Sequence, residues 1–334
     1  MKNKSLKIFI SLATVILLLL AGEIALRLFW EMAPAVRRPF YQRSKNPFIR
    51  YKLIPNAESG NVKINSAGWR GPEINIQKPK DTYRILMLGD SELFSILLPE
   101  EDSLSRQLEK LLNEKSGGIK FEVVNSGVEG YNTFQEFEVL KAQGLGYRPD
   151  LVVLDYVLND PEPGEYYFGD NFLTRNSAIY RYILYRIKKG LIRMERRRLR
   201  IKTEAQHFNY LHSGISFIHL KKAVLEMASL LESYNIRLVV NIFPVSSLAV
   251  KDFKENYPYR HIHKLIKGIG HQNIIYVDAI EEFNRLGMSP QSVSINYEYN
   301  ESHKNAKALG VMADLLCRIL RKNNLIPNTR FNAP

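Results

Sequence analysis

The sequence predicts an α/β protein: a three-layer α/β/α sandwich with a mostly parallel sheet, preceded by one membrane-crossing helix. Three observations predict it. Short apolar runs alternate with helically spaced segments from Tyr83 onward. Three of those runs end in compact polar signatures, where the loops of a parallel sheet converge. An uncharged stretch near the N-terminus comes directly after a cluster of lysines.

The N-terminal stretch comes first. Lys2, Lys4 and Lys7 precede Ile8–Gly22, a run without charge, and the chain continues through Glu23, Arg27 and Trp30. Lysines before an apolar run favour a cytoplasmic N-terminus and put the remainder of the chain outside the cytosol. The run alone is short for a span of about 20 residues. Extension to Trp30 reaches that length when Glu23 and Arg27, four apart on one helix face, pair with each other. Ala33-Pro34-Ala35 is a poor cleavage site, being far from the apolar run and carrying a Pro, so an uncleaved anchor is preferred to a cleaved signal or a buried soluble helix. Residues 1–7 then form a cytoplasmic tail, 8–30 the anchor and 31–80 a Pro-punctuated juxtamembrane extension, packed through Trp69 and Tyr51.

The globular domain is expected over 81–325. Arg84–Leu88 reads as a buried strand ending at Gly89-Asp90-Ser91, and Leu104, Leu108, Leu111 and Leu112 recur at helical spacing. Phe121–Val124 is the second strand, ending at Asn125-Ser126-Gly127, with a helix over Phe134–Gln143. Pro149-Asp150 introduces a third strand, Leu151–Tyr156. Later come a helix over Ile215–Tyr234, a strand over Arg237–Ile242, a helix over His261–Ile269, a strand over Ile274–Val277 and a closing helix over Ala306–Leu320.

Composition narrows the classes. With 334 residues, 45% hydrophobic and 24% charged, the chain is neither disordered nor a multi-span membrane protein. The single Cys317 excludes an internal disulfide and a cysteine-cluster metal site. The net charge of +13 is concentrated: Arg175–Lys202 holds eleven Lys/Arg and one Glu. No cofactor and no metal is expected, because His207, His212, His219 and His271 show no ligand spacing and His261 and His263, two apart, face different ways on a helix.

Four polar loops carry the candidate chemistry. Serine needs a base to become a nucleophile, so Ser91 requires a histidine, and His303, just before the last helix, is the candidate. The Ser91 N–H, the Gly127 N–H and the Asn159 amide are candidate donors to an oxyanion, glycine allowing close approach of backbone to a ligand. Asp155, inside an apolar strand, is either a charge beside the site or a strand-end residue bonded to a neighbouring loop.

That combination resembles the SGNH (GDSL-type) hydrolase superfamily, and most nearly its bacterial membrane-anchored branch. The resemblance is carried by Asn65-Ser-Ala-Gly-Trp-Arg-Gly-Pro-Glu73, Tyr83-Arg-Ile-Leu-Met-Leu-Gly-Asp-Ser91, Val124-Asn-Ser-Gly127, Pro149–Leu154, Asn159-Asp160 and His303-Lys-Asn-Ala-Lys-Ala-Leu-Gly310. It implies an SGNH-hydrolase or flavodoxin-like sheet, Ser91 as nucleophile, His303 as base, and Ser91, Gly127 and Asn159 as oxyanion donors. It also implies Asn300 as the residue behind the histidine. This chain departs from the family at three places: Val157 and Asn300 stand where Gly and Asp are usual, and Glu92 is next after the serine. A neutral Asn orients an imidazole but stabilises imidazolium less than a carboxylate does. A carboxylate at position 92 either repels an oxyanion or faces solvent.

The implied activity is a membrane-anchored extracytoplasmic ester hydrolase of the bacterial inner (cell) membrane. It would act through a serine acyl-enzyme and remove acyl (acetyl) groups from a surface glycan or lipid. The same residues serve an O-acyltransferase in polysaccharide modification, or a catalytically weak binding or assembly module. The basic insertion at about 172–210 reads as a lid meeting anionic headgroups or acidic glycan, or as a solvated basic helix. Nucleic acid is a poor partner for a domain outside the cytosol.

Overall fold

The computed structural model describes residues 2–30, 39–46, 48–49, 51–114, 116–162, 171–254, 256–299 and 302–327. In chain order, helix α1 (Lys2–Ala25) runs into a π-helical turn over Leu26–Trp30. Short strands β1 (Tyr41–Arg43), β2 (Tyr51–Leu53), β3 (Glu58–Ser59) and β4 (Val62–Lys63) precede β5 (Thr82–Leu88). Next come α2 (Ser91–Phe94), α3 (Leu104–Asn113), β6 (Lys120–Asn125), α4 (Thr133–Ala142) and β7 (Leu151–Tyr156). Beyond β7 are α5 (Phe172–Asn176), α6 (Ala178–Arg198), α7 (Glu204–Leu211), α8 (Gly214–Ser233) and β8 (Arg237–Ile242). The chain closes with α9 (Arg260–Lys267), β9 (Ile274–Asp278), α10 (Ile280–Arg285), α11 (Pro290–Val293) and α12 (Ala306–Lys322).

These elements form two compact units, one of Met1–Lys52 with Glu165–Ile201 and one of Leu53–Gly164 with Lys202–Pro334. The boundary divides the stretch expected as one juxtamembrane extension: Leu53–Lys80 belongs with the sheet. Trp69 is buried there against Tyr147, ring centroids 4.5 Å apart, and Tyr51 packs edge-on to Tyr41 in the first unit.

The second unit is an α/β sandwich. Its sheet has the order β6-β5-β7-β8-β9 with every neighbour parallel. Helices flank it, α3 packing against α12 and α4 against α8. A strand covered on both faces must be apolar along its length, which is why Leu151–Tyr156 is one run, all of it buried. Each Val or Leu so buried contributes about 1.5–3 kcal/mol. The exception inside β7 is Asp155. It sits opposite Asn241 of β8, whose amide donates to Asp155 Oδ1 at 2.7 Å, so its partner is the adjacent strand and not a loop. Burial pushes the pKa of this carboxyl well above the usual range, against the pull of the Asn241 hydrogen bond.

The second strand of the sheet in sequence, β6, lies on one side of β5 and the third, β7, on the other. Chain direction across the sheet reverses there, and the crevice beyond the carboxyl ends of β5 and β7 is where such sheets bind ligands. Ser91 lies just after β5 and Asn159 just after β7.

In the first unit, Lys4–Phe29 is a helical stretch long and apolar enough to cross a membrane, and its apolar window is not buried by protein. Arg27 and Glu23 pair along it as their spacing requires, Arg27 Nε donating to Glu23 Oε1 at 2.8 Å.

Candidate active site

Gly89 ends β5 where a side chain has no room: a Cβ there would lie 2.9 Å from Leu93 Cβ and 3.1 Å from Asp155 Cβ. The chain then turns into α2. Asp90 caps that helix, its Oδ1 accepting from the Glu92 N–H at 2.9 Å, which leaves Ser91 as the first helical residue. Its N–H is therefore one of the first-turn donors that no carbonyl within the helix takes up, the kind of group that can meet a developing anion. Arg70, buried, donates to the carbonyls of Phe94, Ser95 and Leu98, the last at 2.6 Å, and so fixes the far end of the same turn.

His303 arrives from the loop ahead of α12, which Asn305 caps by accepting from the Ala308 N–H at 3.0 Å. The imidazole Nε2 lies 2.8 Å from Ser91 Oγ, across 212 residues of sequence. A hydroxyl bonded to an imidazole is the working unit of a serine ester hydrolase.

The residues next after each partner lock the two loops together. Glu92 is 8% exposed and Lys304 2%. The Glu92 carboxylate accepts from Lys304 Nζ and from the Lys304 backbone N–H, each at 3.0 Å. Glu92 thus neither faces solvent nor stands as an uncompensated charge. Sequence reasoning missed this clamp, although opposite charges at the same offset from the reacting pair were its signal.

The remaining predicted residues lie around this pair in different states. Gly127 packs against the turn: a Cβ would stand 2.7 Å from Phe94 N. Its N–H donates to Asn125 Oδ1 at 3.0 Å, and the Asn125 amide in turn donates to the Leu93 carbonyl at 2.9 Å. An oxyanion taken up by Gly127 must therefore share or displace that bond. Gly127→Ala is expected to cost about 1–3 kcal/mol by overpacking, because the clash is with backbone, and a denaturant midpoint measures it. Asn159, exposed just after β7, is near enough to the Asp90 carboxyl for its side chain to help lower that group's pKa, which places it beside the residue next to Ser91. Asn300 lies outside the described residues.

Buried carboxyls surround the base of the site. Glu136 on α4 and Asp160 after β7 are both raised well above the usual range, chiefly by burial and then by neighbouring carboxylates, with Asp90 acting on each. Among the described residues neither Glu136 oxygen has a hydrogen-bond partner, while Asp160 Oδ2 accepts from Thr133 Oγ1 at 2.9 Å. Burial and the neighbouring carboxylates both favour the protonated form of these two acids.

Asp90 is raised to about 6, first by burial and then by the Glu92 charge, against the pull of the Glu92 N–H, His303 and Asn159. An acid raised on folding favours the folded state while protonated; that contribution is full below the ordinary value of 3.8 and is lost as pH rises through about 6. Asp90→Asn keeps a capping oxygen and removes the charge. It is expected to raise stability at pH 7 to 8 by on the order of 2–3 kcal/mol relative to pH 4, and to lower turnover by withdrawing charge from His303. Urea melts at the two pH values measure the first effect.

The other histidines have separate partners. His263 Nδ1 lies 2.9 Å from Asp278 Oδ1, and His261 Nε2 lies 2.6 Å from Asn209 Oδ1. Among the described residues no group of three or more His, Cys, Asp or Glu is arranged to hold a metal.

No family model and no curated protein sequence matches this chain. Solved structures similar to it include TesA, at 13% identity and TM-score 0.44, over 73% of this chain and 99% of that one. An acetyl xylan esterase, AlAXEase, is 14% identical with TM-score 0.42, over 71% and 99%. A protein of the lipolytic G-D-S-L family from Desulfitobacterium hafniense is 13% identical with TM-score 0.40, over 71% and 99%.

Proposed function

We propose that this chain is a serine ester hydrolase of the SGNH type, held to the bacterial cell membrane by α1 with its α/β unit outside the cytosol. The observation that carries this reading is the 2.8 Å contact between Ser91 Oγ and His303 Nε2 at the carboxyl edge of the sheet. His303 takes the Ser91 proton as Oγ attacks an ester carbonyl, and the resulting oxyanion is met by the Ser91 N–H, with Gly127 and Asn159 as further donors. The imidazolium then gives its proton to the leaving alcohol, and water, deprotonated by the same ring, releases the acyl group from Ser91. Asn300 is assigned to orient the ring through its side-chain carbonyl. Lysines in the first turns of α1, ahead of its uncharged run, support a cytoplasmic N-terminus, and a surface glycan or lipid is the acylated substrate such an anchor makes available.

The test is acetate release from O-acetylated polysaccharide by the full chain in detergent. The wild type is expected to release acetate and Ser91→Ala to release none. Equal release by both would end the reading. Transfer of the acyl group to an added glycan, without free acid, would make the enzyme an acyltransferase with the same nucleophile.

A further inference from the structure

Helix α6 has eight Lys/Arg against one Glu, and its surface is divided. Ile183, Ile187, Leu191 and Met194 recur at spacings of four, four and three, and are between 48% and 68% exposed. At 3.6 residues per turn they fall within about 80° of arc. On the same helical projection Arg186, Arg193 and Arg197 flank this stripe on one side and Lys188 on the other. A helix that exposes an apolar stripe edged with arginines has the form of one lying in a lipid interface, its long basic side chains reaching headgroups while the stripe meets acyl chains.

The start of α6 is fastened to the end of α1. The Glu23 carboxylate accepts from the backbone N–H groups of Ala178, at 2.7 Å, and Ile179, at 3.0 Å, and from Ser177 Oγ at 3.1 Å. The two N–H groups are orphan donors of the first turn of α6, and a negative charge there also complements the helix dipole. Arg27, paired with Glu23, donates to the Asn176 carbonyl. Gly22 lies beside the same contact, in van der Waals range of Ile179. Gly22, Glu23 and Arg27 all sit within the last turns of the apolar helix, so α6 begins beside its C-terminal end.

We propose that α6 lies along the outer surface of the membrane that α1 crosses, with Ile183, Ile187, Leu191 and Met194 in the acyl boundary and its arginines on the phosphates of anionic lipids. The proposal rests on the reading of α1 as a membrane anchor. Neutral lipid satisfies the stripe alone; the flanking cations select anionic headgroups, and their contribution weakens with salt.

The experiment uses the full chain in a Cys317→Ala background, with Met194→Cys carrying an environment-sensitive NBD label. It is reconstituted into nanodiscs of phosphatidylcholine alone or of phosphatidylcholine with phosphatidylglycerol. With phosphatidylglycerol the emission is expected to shift to the blue and to lose most of its quenching by aqueous iodide. Arg186→Glu, Arg193→Glu and Arg197→Glu together are expected to abolish that difference. A label equally open to iodide in both lipids would overturn the proposal, as would shielding by an added acidic glycan in phosphatidylcholine discs with none from phosphatidylglycerol. Failure of the chain to enter nanodiscs at all would instead overturn the anchor, and this proposal with it.

Discussion

Ser91→Ala is expected to lower kcat/KM for a soluble acetyl ester on the order of 10⁴-fold or more while leaving the thermal midpoint almost unchanged. The hydroxyl is the only atom removed, and its contact with His303 Nε2 lies in a partly exposed position, so little stability is at stake. His303→Ala is expected to cost about as much in rate, since a serine without its base is a weak nucleophile. The double variant should be no worse than either single one, because the two groups act as a unit. Steady-state kinetics on the three proteins measure this, and losses that multiply would show that Ser91 and His303 work apart.

The second large effect belongs to the clamp behind them. Lys304→Met leaves the Glu92 carboxylate buried with, among the described residues, only the backbone N–H of residue 304 as partner. Removing one member of a buried ion pair costs about 3–5 kcal/mol, because the other charge stays in a medium that solvates it poorly. For a domain of this size that lowers the melting temperature on the order of 10 °C. Glu92→Met combined with Lys304→Met is expected to restore most of the stability, as apolar replacement of buried pairs does elsewhere. Turnover should remain low in the double variant, since the loops bearing Ser91 and His303 have lost the hydrogen bonds that hold their register. Melting curves and kcat measured on the same samples separate the two effects; recovery of both would make the pair structural only.

Much of this arrangement was legible in the chain, for definite reasons. Leu151–Tyr156 and Arg237–Ile242 are legible as strands because central parallel strands need mostly apolar runs, interrupted here by the Asp155–Asn241 pair. The meeting of Ser91 with His303 was foreshadowed by motif order and by the rule that such sheets gather their loops at one edge. Strands β1 to β4 were not legible, since two or three residues are too few to show a period. The role of Arg70 was hidden as well: the carbonyls of Phe94, Ser95 and Leu98 that it holds lie 24 to 28 residues away, and nothing in a lone arginine announces a buried one. Glu92 read as an intruder beside the nucleophile, because its neutralising partner is 212 residues distant. In the same way, Glu23 showed its local pairing with Arg27, but its bonds to Ala178 and Ile179 depend on contacts between distant helices.

The most direct test of the central claim is covalent. The full chain is treated with a fluorophosphonate, digested, and its peptides mapped by mass spectrometry. A single adduct on Ser91, absent from Ser91→Ala and strongly slowed in His303→Ala, is the predicted result. Labelling of Ser91→Ala as strong as that of the wild type would contradict it.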